Sequence, residues 1–351
     1  MKKIIRNSFA LGVCALLLGP SYGQASAKEN SNLTSEQKNI LQQSEEDQSN
    51  DLTFDQIDKF TIGQGEQFVM EYLKKNNLNY SIGSPEFIEF LNGLAFEEPD
   101  KGVKTEASFD IMDAYANVYL EKLDYAQSVN PDVEMKPFQL DSATKSKTIE
   151  ETRLENEQKN KEFEEEVEKE YQQEKATNKV TAAASYNRSN ARAYMEKYWK
   201  SYNKSYRSFS NDCTNYASQV VQAGGMRQEG QSASPGYHST TKSWYYRSLP
   251  SYAYTYSTSW SVVKDFYSYW AGHKGHSHKM FKGHKDPASY TSTGDIIILR
   301  DQKTGIWHHT IIDNGRTAAG YVAYSGHTNN HLKKSLYNVD GSKYDFYCIK
   351  F

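Results

Sequence analysis

The chain has 351 residues, 37 % hydrophobic and 24 % charged, which is enough for two or more domains with a sizeable core. No apolar run reaches the ~18 residues of a membrane-spanning helix. The 8 prolines and 21 glycines exclude a collagen-like or proline-rich architecture. The net charge of −3 conceals two opposed halves, since residues 28–180 sum to −17 and residues 181–351 to +11. All 9 histidines and all 5 tryptophans lie in the second half, so composition puts a boundary near residue 180. The 27 tyrosines suit a tyrosine-rich β core or a wet, carbohydrate-like or wall-like ligand.

Residues 1–27 read as a secretory signal peptide. Lys2, Lys3 and Arg6 form the basic region, Phe9–Leu18 the apolar stretch, and Ala25-Ser26-Ala27 the cleavage site. Val13 before Cys14 argues against lipid attachment, so Cys14 leaves with the signal. The remaining Cys213 and Cys348 are too few for a disulfide framework, so either they pair once or one is a working thiol.

Residues 28–50 are polar and read as disordered. Residues 51–140 read as a small helical region. Phe68, Val69, Tyr72 and Leu73 form one apolar stripe. Ser84-Pro85-Glu86 starts a helix whose stripe is Phe87, Ile88, Leu91 and Leu94. Phe109, Met112, Ala116, Tyr119, Leu120 and Leu123 supply a third stripe. Residues 141–180 read as a charged helix and linker. The lean stripe Phe163, Val167, Tyr171 suits a solvated spacer helix better than a docking one. Thr181–Ser185 then reads as a short linker before a domain at 181–351.

The chemistry concentrates in that domain. Ser210, Asn211 and Asp212 can all cap a helix, and Gly224-Gly225 stops one. Between them Tyr216, Ala217, Val220 and Val221 form a buried face. Cys213 falls in the first turn, where free N–H groups and the helix dipole favour a thiolate. A cysteine nucleophile needs a base. Ile296–Leu299, Ile306–Asp313 and Tyr321–His327 read as successive strands, with Asn314-Gly315 as a hairpin turn. Adjacent strand residues face opposite ways, so only one of His308 and His309 can serve Cys213. His327 on the next strand is placed to orient it.

A metal is the rival chemistry. His273, His276, His278 and His284 cluster in sequence, and His327 and His331 stand four apart. None matches a recognised zinc spacing, and Lys274, Lys279, Lys282 and Lys285 surround the first group, so no metal or cofactor is expected. Residues 273–285 read as a mobile basic loop or, more sharply, as a patch for anionic wall polymers.

Residues from about 186 to 346 resemble the putative amidase domain of Gram-positive exported proteins. The resemblance rests on Tyr186-Asn187-Arg188 with Ala191 and Tyr194, Asp212-Cys213-Thr214-Asn215-Tyr216, Ser218-Gln219 and Gly224-Gly225. Trp244, Ser259-Trp260, Gly294-Asp295, His309-Thr310-Ile311 and Ser325-Gly326-His327-Thr328 extend it. It implies an α+β, papain-like cysteine hydrolase related to CHAP- and NlpC-type wall hydrolases, preceded here by a mainly helical acidic region. It also implies amide hydrolysis with Cys213 as nucleophile and His309, rather than His308, as base. His327 matches best as third member, with Asp313 as runner-up.

The expected protein is thus a secreted, cysteine-dependent amidase or peptidase acting on peptidoglycan or another wall-associated amide. The alternative is a non-catalytic wall-binding or surface module on a hydrolase-like fold, against which stands the presence of Cys213, His309 and His327 together. No nucleic-acid motif accompanies the basic charge, and no integral membrane segment remains after signal removal. The opposed charges of the two halves suggest that the first half rests on the second and restrains it, with a plain spacer as the other reading.

Overall fold

The computed structural model describes residues 33–46, 51–96, 101–129, 137–176, 186–250, 253–282 and 287–351. The expected signal peptide, with Cys14, and the expected linker Thr181–Ser185 lie outside them. The first half is helical: α1 (Ser35–Glu46), α2 (Phe54–Ile57), α3 (Ile62–Lys75), α4 (Pro85–Phe96), α5 (Lys101–Lys104), α6 (Phe109–Val129), α7 (Ser142–Ser146) and α8 (Ile149–Ala176). Among the described residues no helix is long and apolar enough to cross a membrane.

Local signals account for most of these helices. Thr61 caps α3 by accepting from the Gln64 N–H, while Gln64 Oε1 accepts from the Thr61 N–H. Ser84 Oγ accepts from the Phe87 N–H at the start of α4. The three stripes expected from the sequence are buried together in one core. Gly65 lets α3 lie directly on α6, because a Cβ there would stand 2.6 Å from Tyr115 Cβ.

Residues 35–46, expected to be disordered, form α1. A polar helix is held here because Ile40 joins the first-half core and Gln37 Nε2 donates to Lys59 O at 2.6 Å. The spacer reading of 149–176 is also corrected, since α8 docks. Its Asn156 and Asn160 donate to the carbonyls of Thr304 and Gly305, and Asn160 Oδ1 accepts from Trp307 Nε1. Phe163 packs edge-on to Trp307 with ring centres 5.5 Å apart, and Val167 enters the second-half core. A stripe lean in carbon docks because its polar members satisfy a turn's backbone groups. At its other end Arg153 grips Asp58 with both guanidinium nitrogens, at 2.7 and 2.5 Å. The helix therefore straddles the compositional boundary.

The second half opens with α9 (Arg188–Tyr198) and α10 (Cys213–Ala223). The strands β1 (Gly236–His238), β2 (Tyr246–Ser248) and β3 (Tyr254–Ser257) form a small sheet in the order β1-β3-β2. The short α11 (Thr258–Ser261) and α12 (Val263–Tyr267) lead to the main sheet. Its strands are β4 (His278–Lys282), β5 (Ile296–Asp301), β6 (Trp307–Arg316), β7 (Val322–Gly326), β8 (His331–Ser335) and β9 (Tyr344–Ile349). They pair antiparallel in the order β4-β9-β5-β6-β7-β8. Ile296, Ile298 and Ile312 meet α10 on one face, and Ile297, Leu299 and Ile311 build a second core on the other. Tyr216, Tyr256, Tyr269, Tyr324 and Tyr347 are fully buried, so many of the tyrosines are core residues.

One further expectation changes. Part of the 273–285 stretch is strand β4, held on β9, and His276 Nδ1 lies 2.8 Å from Lys350 O, so this part is not a loop. Cys213 and Cys348 are both buried and not joined in a disulfide, with Cys348 inside β9.

Asn160→Ala should strand the Gly305 carbonyl and the Trp307 indole N–H away from water. At about 1–3 kcal/mol each, the loss is about 2–6 kcal/mol in urea denaturation. Glu165→Ala, on the exposed face of α8, should stay within about 0.5 kcal/mol.

Candidate active site

Cys213 is the first residue of α10, as its sequence context requires. Asp212 precedes it, but its carboxylate makes no capping bond to the helix. Instead Asp212 Oδ1 accepts from the Phe209 N–H and from Asn215 Nδ2, and Oδ2 faces His327 Nδ1 at 2.7 Å. The first-turn N–H groups of α10 are thus left to the thiol and to whatever it attacks. The sulfur lies 3.7 Å from Thr214 Oγ1 and takes a hydrogen bond from the Thr310 backbone. Thr214 and Thr310 are themselves joined through their hydroxyls at 3.0 Å. The nucleophile candidate therefore sits against the α10 face of β6, the face of Thr310 and Ile312.

The two adjacent histidines are not divided by simple alternation. Leu299 pairs with His309 and Arg300 with Trp307, so His308 is the extra residue of a β-bulge. Its ring meets Tyr344 edge-on at 5.4 Å and lies 6.4 Å from the His309 ring. Burial pushes His308 down to about 4 against the pull of Asp113, so the ring is neutral at physiological pH. His309 shares the face of Leu299 and Ile311, the side of β6 away from α10, and a Cβ on Gly326 would come 3.8 Å from its Nε2. The glycine thus leaves room for the imidazole.

His327 does not orient His309. Its Nδ1 is taken by Asp212 and its Nε2 by the Tyr198 carbonyl at 2.8 Å, while its ring stacks on Tyr216 at 3.7 Å. Both ring nitrogens are therefore occupied, one by a side chain and one by a backbone carbonyl. The pair braces the residue before Cys213. Asp313, the runner-up, is likewise spent: it accepts from Thr291, Arg316 and the Gly315 N–H. Sequence periodicity put His327 on the strand next to His309, but the β6–β7 register turns its ring toward α9 and α10.

The other motif residues form scaffold. Trp260 Nε1 donates to Asn215 Oδ1, and Ser218 Oγ donates to the Trp260 carbonyl while accepting from Trp244 Nε1. Arg188 bonds Thr293 O, Asp295 and Phe351 O, clasping the chain end to the sheet. Tyr186 fits only because Gly224 and Gly294 lack a Cβ, which would stand 2.0 and 2.7 Å from its ring.

One participant was invisible in the sequence. Asp124, on α6 of the first half, acts on the Cys213 thiol more strongly than any other charge. Burial first, then Asp124, pushes Cys213 up to about 12. Asp124 is in turn raised well above the usual carboxylate range by burial, Glu121 and Asp212. No spacing rule links a helical aspartate to a cysteine 89 positions later. Among the described residues no group of three or more His, Cys, Asp or Glu side chains could hold a metal ion.

A protein-family model described as a putative amidase domain matches residues 185–349. No curated protein and no solved structure matches the chain.

Two measurements follow from this geometry. A thiol raised from 9.0 to about 12 is almost wholly protonated at neutral pH, so iodoacetamide should modify Cys213 about 10³-fold more slowly than an unperturbed thiol. Because the shift is upward, the rate should keep rising about tenfold per pH unit from pH 8 to 10 instead of levelling near 9. His327→Ala should leave buried Asp212 Oδ2 and the Tyr198 carbonyl without their hydrogen-bond partner and cost about 1–3 kcal/mol in denaturant unfolding.

Proposed function

Residues 185–349 belong to the putative amidase domain family, and on that premise we propose that the chain is an exported cysteine hydrolase of amide bonds in bacterial cell-wall peptidoglycan. The family description points to amide hydrolysis in general. The cysteine mechanism is supported by one observation: Cys213 opens α10 with its sulfur on the Thr310 backbone. Export is supported by the basic, apolar and small-residue order of residues 1–27.

In this reading His309, the base that the family resemblance implies, must be brought round to the α10 side of β6, where it takes the thiol proton as the Cys213 sulfur attacks the amide carbonyl carbon. The Cys213 N–H, at the positive end of α10, meets the developing oxyanion. As the C–N bond breaks, His309 returns the proton to the leaving amine. Water, deprotonated by His309, then cleaves the thioester, releasing the acid and restoring the thiol. Asp212 and His327 hold the start of α10 and touch no reacting atom. A papain-like arrangement of helix and sheet is the fold relationship this mechanism implies.

Digestion of purified cell walls, with mass spectrometry of the released fragments, tests the reading and identifies the bond cut. Cys213→Ala should lower kcat/KM by about 10³-fold or more. His309→Gln should fall comparably, while His308→Gln should lose no more than a few-fold. Wild-type rates in Cys213→Ala would remove the cysteine mechanism, and a greater loss in His308→Gln would move the base to the bulge residue.

A further inference from the structure

Cys213 is 1 % exposed, and the element lying over it comes from the other half of the chain. Helix α6 packs against both β1 and β6. At its C-terminal end Gln127 Nε2 donates to Ser210 Oγ at 3.1 Å, three residues before the nucleophile. One turn earlier stands Asp124, the charge that most affects the thiol. At its N-terminal end Asp113 Oδ2 meets Lys303 Nζ at 3.1 Å and Lys343 Nζ at 3.2 Å, and Asp110 meets Lys303. Lys343 also lies 4.4 Å from the centre of the Phe109 ring. Asp113 and Asp124 are about 16 Å apart along a helix rising 1.5 Å per residue. The helix is therefore pinned at the β5–β6 turn and again at Ser210, three residues before the thiol.

We propose that α6 is a built-in cover of the active site, latched by Lys303 and Lys343, and that catalysis requires it to lift. The proposal rests on the reading of Cys213 as nucleophile and adds its regulation. A helix over the sulfur keeps out a substrate carbonyl by occupying its place. It also disables the thiol electrically, since burial and Asp124 both disfavour the thiolate, and lifting α6 removes both effects. The contacts that would have to break are concentrated and polar. Lys303 is nearly sealed from water, so the latch is held by charges that have given up hydration and are recovered by solvent when it opens. Ile306, which sits in the first-half core, and the Tyr344 hydroxyl, which donates to the Ala95 carbonyl, close the same edge.

The test uses the full chain and the reactivity of its own thiols, which needs no amide substrate and so stands apart from any failure of the hydrolase reading. Iodoacetamide labelling at pH 8 is followed by peptide mass spectrometry, which reads Cys213 and Cys348 separately. In Asp110→Asn/Asp113→Asn the Cys213 rate should rise at least about tenfold over wild type while Cys348, inside β9, stays unchanged. Lys343→Gln, at the partly exposed rim, is the milder variant and should raise Cys213 alone by about threefold. Cys213 rates unchanged in both variants would overturn the cover. So would a rise in both variants that Cys348 matches, because that reports general loosening of the fold.

Discussion

Lys303 sits where water scarcely reaches, and its ammonium is tolerable there only because α6 brings Asp110 and Asp113 to it. Burial alone would drive the lysine toward neutrality and Asp113 toward its acid form. Their mutual attraction reverses both, raising Lys303 and holding Asp113 below the usual carboxylate range. The pair fixes the rotation of α6 about its axis. Once that rotation is set, Ile111 and Tyr115 face Gly65 of α3, Asp124 arrives over Cys213, and Gln127 reaches Ser210. One buried cation thus decides how the helical half lies on the sheet half.

The elements were legible from local rules where those rules act alone. Ser84-Pro85 and Gly224 mark helix ends because capping is settled within four residues. The stripes on α3, α4 and α6 were readable because each faces one core. The rest of α6 was not. Asp110 and Asp113 are buried as well, because Lys303 and Lys343 of the second half meet them on the face that a lone amphipathic helix would give to water. Polar residues on that face look like solvent residues until their partners arrive from far along the chain. The same limit hid α8, whose docking depends on Asn156 and Asn160 meeting a β turn about 145 residues away.

At the candidate site, the position of Cys213 at the start of α10 was readable, while the placing of His308 and His309 was not. A β-bulge, not simple alternation, sends His308 to Tyr344, and a bulge leaves no periodic mark. His327 was placed by strand order, which says nothing of ring orientation. Its partners are the carboxylate before the nucleophile and a carbonyl at the end of α9. The conspicuous residues of the Asp-Cys-Thr-Asn block thus divide by role. The thiol faces the chemistry, while the aspartate and the asparagine are consumed in holding the loop that presents it.

Helix α8 has a consequence for how the two halves could part. It is bonded to the first half through Arg153 and to the second through Asn160, Phe163 and Val167, all upstream of the join to α9. A cut between α8 and α9 would end covalent continuity yet leave every one of these contacts in place. What it would remove is the tether's high effective concentration, so release would become a question of dilution and competing ligands. Nicked protein would travel as a two-chain particle, and the break itself would be the first of two steps, the second being dissociation.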